Sequence, residues 1–258
     1  MCLLIFAHRT SPQYPLVVAA NRDEFHARAT APSCFWQDHP QLLAGIDLEQ
    51  GGTWMGVTRG GRFAAVTNYR DPSRTAAAPR SRGELPLHYL IGQQGPQDFL
   101  ASLSPIATEY AGFNLLVGDR DTLWYYSNSG GDTESGPQCL PPGVYALSNA
   151  RLDTPWPKAE SGRAKLQQLL ATGPPSHEQL FTVVADRRPA NPDTLQLQGL
   201  DSAMDQLLSA QFIVTEGYGT RSCTTAWIDD NQTLNWQEQS FDQQGALREV
   251  RTEEFEIV

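Results

Sequence analysis

An α+β fold of two stacked antiparallel sheets lying between helical layers is the expectation from three features of this chain. Short β-rich segments bounded by turn residues crowd both ends. Segments with helical periodicity occupy the middle. No internal repeat, low-complexity tract or dividing linker interrupts the 258 residues, so residues 1–258 are expected to form one domain.

The first two strands carry the most information. Cys2–His8 (CLLIFAH) and Pro15–Asn21 (PLVVAAN) are rich in β-formers, and Thr10-Ser11-Pro12-Gln13 between them is turn chemistry. In an antiparallel hairpin folded near Pro12, paired residue numbers sum to roughly 24 or 25. Cys2 therefore falls opposite Arg22 or Asp23. Strand alternation puts Asn21 and Asp23 on one face and Arg22 on the other.

Further strands are expected at Leu42–Ala44, Thr53–Thr58 and Arg62–Asn68, the last two joined by Arg59-Gly60-Gly61. The Pro-, Arg- and Ala-rich stretch Asp71–Arg82 reads as an exposed loop. Helical patterns follow at Glu84–Ile91 and Gln97–Leu103, then strands at Ala111–Val117 and Thr122–Ser127 around a Gly118-Asp119 turn. Val144–Ser148 reads as a strand. Ser161–Ala171 and Ser176–Ala185 read as helices with Ser161 and Ser176 as N-caps. Ser222–Ile228 and Leu234–Gln239 form a closing hairpin, followed by a strand at Glu254–Val258.

Composition excludes several classes of function. The formal net charge of −10, with arginines scattered rather than clustered, is the wrong footprint for nucleic acid. Cys2, Cys34, Cys139 and Cys223 lie far apart without CxxC spacing, so neither a zinc ribbon nor a disulfide framework is indicated. No metal site is expected, and a reducing compartment fits. The apolar run Leu3–Ala7 is too short for a signal segment, and no stretch approaches the ~20 apolar residues of a spanning helix. A soluble, cytoplasmic protein is the expectation.

Cys2 becomes the first residue once Met1 is trimmed, which a small second residue permits. It then carries a thiol and an α-amine together. An α-amine has an ordinary pKa of ~7.7–8.0, so near neutral pH it can take a proton from its own side chain. That is the logic of an N-terminal nucleophile. Position alone favours a plainer reading, a small apolar residue opening a strand; the hairpin, which brings an acid and an amide beside the chain start, favours the chemistry.

Asn21-Arg22-Asp23-Glu24 is the tetrapeptide that names the NRDE family, also called the transport and Golgi organisation protein two family. Resemblance extends through Met1-Cys2-Leu3, Gly51-Gly52-Thr53-Trp54-Met55-Gly56, Thr67-Asn68-Tyr69-Arg70 and Gly112-Phe113-Asn114-Leu115-Leu116. It continues through Leu147-Ser148-Asn149, Leu152-Asp153-Thr154-Pro155-Trp156-Pro157-Lys158 and Tyr218-Gly219-Thr220-Arg221-Ser222. The chain is therefore identified as a member of that family.

A more distant resemblance, to cysteine N-terminal-nucleophile amidases of the bile-salt hydrolase and penicillin V acylase type, implies a mechanism and a four-layer αββα sandwich. Those enzymes also begin with Cys after Met and end their second strand in Arg-Asn-x-Asp. Asn21-Arg22-Asp23 matches the latter part, with Ala20 where they carry Arg. By this resemblance Cys2 is the nucleophile, Asp23 holds the amine, and Asn68 and Asn149 serve the oxyanion. Arg163 and Arg221 are rivals for the distal catalytic arginine. Asn21, Arg22, Trp54 and Asn114, from the same blocks, are expected to bind or support. Each also has a structural reading: Asn at strand ends closes turns, and the tryptophans line a core or groove.

Two functions follow as expectations. One is a cysteine-dependent hydrolase or acyltransferase acting on the amide or thioester of an acyl or lipid-type small molecule, with no cofactor required. The other, implied by family links to haem movement and lipid metabolism, is a haem, acyl-coenzyme A or lipid carrier using the same cleft. His8, His26, His39, His88, His177 and Cys2 are then the candidate haem ligands, although none sits in a CxxCH motif. A structural organiser has no physical support, since there is no coiled coil, anchor or basic patch.

Overall fold

The structure, a computed structural model, describes residues 2–70, 78–129, 136–200 and 202–258. Residues 71–77 of the expected Asp71–Arg82 loop lie outside the described residues. In chain order the elements are β1 (Cys2–Ser11), β2 (Tyr14–Phe25), β3 (Thr30–Phe35), β4 (Leu42–Asp47), β5 (Met55–Thr58) and β6 (Phe63–Asn68). Then come α1 (Glu84–Ile91), α2 (Pro96–Leu103), β7 (Phe113–Gly118), β8 (Leu123–Ser127), β9 (Gln138–Cys139) and β10 (Gly143–Leu147). The chain closes with α3 (Pro157–Thr172), α4 (His177–Thr182), α5 (Pro192–Gln196), α6 (Ala203–Leu208), β11 (Tyr218–Ile228), β12 (Thr233–Phe241) and β13 (Leu247–Glu256).

These strands form two antiparallel sheets, β10-β1-β2-β11-β12-β13 and β3-β4-β5-β6-β7-β8-β9. Leu4, Phe6, Val18, Ala226 and Trp236 of the first sheet pack against Leu43, Val57, Ala65 and Leu116 of the second. The outer face of the first sheet, with Leu3, Ile5, Val17 and Ala19, is covered by Leu166 of α3 and Leu180 of α4. α1 and α2 cover the second sheet through Leu85, Tyr89 and Leu100. The result is a four-layer αββα sandwich. Burial of β1 on both faces explains why CLLIFA is a continuous apolar run rather than an alternating one.

The β1–β2 hairpin has the expected register. Cys2 pairs with Arg22, and Leu3 with Asn21. Ser176 caps α4 as expected, accepting from the Gln179 N–H. Two expectations need correction. Helix α3 starts at Pro157, four residues before Ser161, because proline at the first helical position has its φ already set and lacks an N–H that would be unsatisfied anyway. The last strand runs over Leu247–Glu256 rather than 254–258. It is a mostly exposed edge strand whose charges replace the apolar signal and guard the edge. Among the described residues no helix is long and apolar enough to cross a membrane.

Candidate active site

A cleft of about 980 Å³ opens where β1 begins and β2 and β6 end. Cys2, Arg22, Asp23, Trp54, Asn68 and Asn149 all line it. These six sequence-predicted residues come from β1, β2 and β6, the residue just before β5, and the turn after β10, so the sandwich gathers what the chain scatters.

Antiparallel pairing does the first part of the assembly. Directly opposed residues share a face, so half-buried Cys2 and Arg22 both point between the sheets, whereas Asp23 points toward the helix layer. A β-bulge then supplies a partner for Asp23. Thr220 pairs with Asp23 and Ser222 with Arg22, which leaves Arg221 as the extra residue. That insertion turns Thr220 to the helix side, where its hydroxyl donates to Asp23 Oδ1 at 2.7 Å. Asp23 is only 1% exposed. Burial pushes its carboxyl up from the ordinary range, while the Lys158 charge and the Thr220 bond pull it back. Burial likewise raises the Cys2 thiol, against the pull of the Arg22 guanidinium.

Arg22 is 6% exposed, and its guanidinium lies 4.4 Å from the centre of the Trp54 ring. Glu24 Oε2 is 3.9 Å from Arg22 Nη2, while Nη1 has no hydrogen-bond partner in the described structure. The indole has room because residue 45 is glycine: a Cβ there would fall 2.2 Å from Trp54 Cη2. A cation stacked on a ring and desolvated in this way is held in one orientation.

Asn68 and Asn149 meet at the opposite wall. Asn149 Nδ2 donates to the Asn68 carbonyl at 3.1 Å, and its Oδ1 accepts from Ser148 Oγ at 3.0 Å. The same Ser148 hydroxyl lies 3.1 Å from the Cys2 carbonyl. One amide hydrogen of Asn149 is thus committed to fixing the end of β6, and half-buried Asn68 stands at the cleft surface.

The other predicted residues lie elsewhere. Asn21 faces the helix layer, donating to the carbonyls of Val184 and Gln211 at 2.7 and 2.9 Å. Asn114 is fully buried and joins Thr67, Ala150 and Tyr125. Arg163 pairs with Asp153 and Glu160 outside the cleft lining. Arg221 donates to the carbonyls of Phe25, His26 and Arg28, closing the turn after β2. Neither arginine lines the cleft. Of the candidate haem ligands, Cys2 is the only one that does so. Among the described residues no group of three His, Cys, Asp or Glu side chains could hold a metal ion.

Sequence reasoning assigned no role to Thr220, Lys158 or Arg82. Thr220 and Lys158 lie inside the sequence blocks quoted above but signal nothing until the bulge and α3 are placed. Arg82 lines the cleft, donates to the Gly112 carbonyl at 3.1 Å, and is held below the ordinary guanidinium range by burial.

The layers and the site define the class: a four-layer αββα sandwich of two antiparallel sheets whose first strand delivers its opening residue, Cys2, to an open cleft. The chain belongs to the Transport and Golgi organisation 2 family, whose match covers residues 1–243. It is 33% identical over 278 residues to the human Transport and Golgi organization protein 2 homolog, covering 100% of this chain and 99% of that one. The mouse homolog is likewise 33% identical over 284 residues, with 100% and 99% covered. Among solved structures, the C2A mutant of the conjugated bile acid hydrolase from Clostridium perfringens aligns with a TM-score of 0.46 at 11% identity, covering 99% of this chain and 97% of that one.

Proposed function

We propose that the cleft is a cysteine N-terminal-nucleophile site that cleaves or transfers the acyl group of an amide or thioester of an acyl or lipid-type small molecule. The observation that carries this reading is the convergence of Cys2, Asp23, Asn68 and Asn149 on one cavity. With Met1 removed, the Cys2 amine takes the thiol proton and the thiolate attacks the acyl carbon. Amide N–H groups at the Asn68 wall then face the developing oxyanion, where loss of one donor typically costs ~10²–10³ in rate. The protonated amine returns its proton to the leaving nitrogen or sulfur, and water or a second nucleophile releases the acyl group. Arg22 and Arg82 make one wall of the cleft cationic, which suits a substrate bearing an anionic group.

Intact mass and a panel of acyl amides and thioesters test the reading. Met1 is expected to be absent from the active protein, and Cys2→Ser to abolish turnover while the protein stays folded. Retained Met1 in turning-over protein, or undiminished turnover by Cys2→Ser, would sink it.

A further inference from the structure

Arginines line much of the cleft, and their partners divide them into two groups. Arg28 pairs with Asp47 and Glu49, Arg70 with Asp205, and Arg80 with Glu84 and Glu109. Each of these charges is answered by a carboxylate of the protein. Arg22 and Arg82 are answered poorly. Arg22 is only 6% exposed; its only ion-pair partner among the described residues is Glu24, 3.9 Å away, and its Nη1 has no hydrogen-bond partner. Glu24 is itself partly committed, accepting from the Phe25 N–H at 2.9 Å. Arg82 donates to the Gly112 carbonyl and forms no ion pair among the described residues. A guanidinium stays charged in a protein even where burial lowers its pKa, as it does for Arg82. A charged donor left unmet at this depth costs the fold stability unless a ligand meets it.

One short segment holds both guanidiniums in place. Trp54 lies against Arg22, its ring centre 4.4 Å from the guanidinium carbon. Two residues earlier, Gly52 packs on the backbone of Gly83, the neighbour of Arg82. The Thr53 N–H donates to the Gly83 carbonyl at 3.0 Å, and a Cβ on Gly52 would fall 2.4 Å from the Gly83 carbonyl carbon. Only glycine permits that approach. Arg22 in turn pairs directly with Cys2 across the β1–β2 hairpin, on the same face. The thiol and both charges line the one cleft.

We propose that Arg22 and Arg82 form an anion subsite beside the Cys2 thiol, so that the substrate carries a carboxylate or phosphate group close to its scissile bond. This rests on the reading of Cys2 as the nucleophile. A guanidinium presents paired N–H donors to two oxygens of one anionic group, a geometry that carboxylate and phosphate share. Trp54 fixes the orientation of Arg22 and the Gly112 carbonyl holds Arg82, so little side-chain freedom is lost when the anion binds.

Iodoacetate and iodoacetamide, which differ in bearing a carboxylate or a neutral amide, test the subsite without a substrate. With either reagent the Cys2 sulfur displaces iodide: an S–C bond forms as the C–I bond breaks, and the thiol proton passes to buffer. Rates are read by peptide mass, with exposed Cys34 and Cys139 as thiols outside the cleft in the same molecule. The iodoacetate-to-iodoacetamide ratio is expected to be about tenfold higher at Cys2 than at Cys34 or Cys139, the effect of one charge-assisted hydrogen bond. Arg22→Gln and Arg82→Gln should bring it down to the ratio of the exposed thiols, and Arg22→Lys should retain part of it. Acetate and inorganic phosphate should slow the iodoacetate reaction at Cys2 saturably, and the one effective at lower concentration identifies the anion. A ratio at Cys2 no higher than at the exposed thiols, or one unchanged in Arg82→Gln, overturns the proposal. Arg82 is half-buried, so its variant serves where Arg22→Gln does not fold. If neither reagent reaches Cys2, a Tm raised saturably by phosphate or acetate and lost in Arg82→Gln supports the subsite, and no rise overturns it. Alkylation needs no turnover, so a failure of the hydrolase reading on the acyl panel stays separate from a failure here.

Discussion

Thr220 and Asp23 face one another across β11 and β2 with their side chains on the helix side of the sheet, hydroxyl to carboxylate at 2.7 Å. The pairing exists only because the bulge at Arg221 shifts β11 by one residue. It ties the acid of the candidate site to a strand whose first residue, Tyr218, lies 195 residues beyond Asp23 and donates its hydroxyl to the Asp23 carbonyl at 3.0 Å.

Thr220→Val keeps the shape and removes the donor. A hydrogen bond to a charged group contributes about 1.5–3 kcal/mol, so the Asp23 carboxyl should take up its proton at higher pH. Turnover should fall about tenfold near neutrality and recover partly as the pH is raised. A pH–rate profile of the variant that matches wild type would rule out this role for Thr220.

Glu238 on β12 bridges the two sheets: it accepts from the Ser33 N–H at 2.7 Å and lies 3.4 Å from the Thr224 hydroxyl. Burial raises its carboxyl to about 7 from an ordinary 4.5. The folded state therefore holds a proton that the unfolded chain has released, and this contribution is fully present below about pH 4.5 and lost as pH rises through about 7. Glu238→Gln should flatten the decline of Tm across that window, with a difference on the order of 3 kcal/mol at most. Parallel Tm–pH curves for the two proteins would exclude Glu238 as the cause.

Asn114→Ala removes donors to Thr67 and Ala150 and the acceptor of the Tyr125 hydroxyl from a site with no solvent access. Loss of these buried bonds should cost about 2–4 kcal/mol, read as a lower urea midpoint. The folded fraction should keep its reactivity at Cys2, because Asn114 does not line the cleft.

Arg163→Ala and Arg221→Ala separate two arginines that look alike in the sequence. The Arg163 pairs are partly exposed, and such pairs contribute about 0.2–1 kcal/mol, so its loss should be nearly silent in melting and turnover. Arg221 holds three carbonyls of the turn that leads away from the Asp23 strand. Its loss should lower stability by about 1–3 kcal/mol and raise KM through the loosened Phe25–Arg28 wall.

Much of the candidate site is legible in the sequence. Hairpin arithmetic put Cys2 opposite Arg22 or Asp23, and the structure pairs it with Arg22, because a tight turn fixes register to within a residue and a strand alternates faces over so short a distance. The apolar runs of β1 and β2 announced burial on both sides. What failed to show had physical reasons. β3 carries Pro32, and its pairing with β4 is interrupted between Ala31 and Cys34, so no clean alternation exists to read. α5 and α6 span 5 and 6 residues, too short for helical periodicity to register. The start of α3 was misplaced because proline reads as a breaker and serine as a cap, while the helix uses the proline as its first residue.

By itself, then, the sequence determined the hairpin, the layered α+β class, the family, and the presence of a cysteine that becomes terminal when Met1 is lost. These depend on local pairing geometry and on residue order. Tertiary structure alone decided which polar residues share the cleft with Cys2. It sent Asn114, Arg163 and Arg221 to structural contacts, and it brought Thr220 and Lys158 to the Asp23 side of the sheet. The bulge, the helix start and the stacking of two sheets set those distances between residues far apart in the chain, and no periodicity along the chain encodes them.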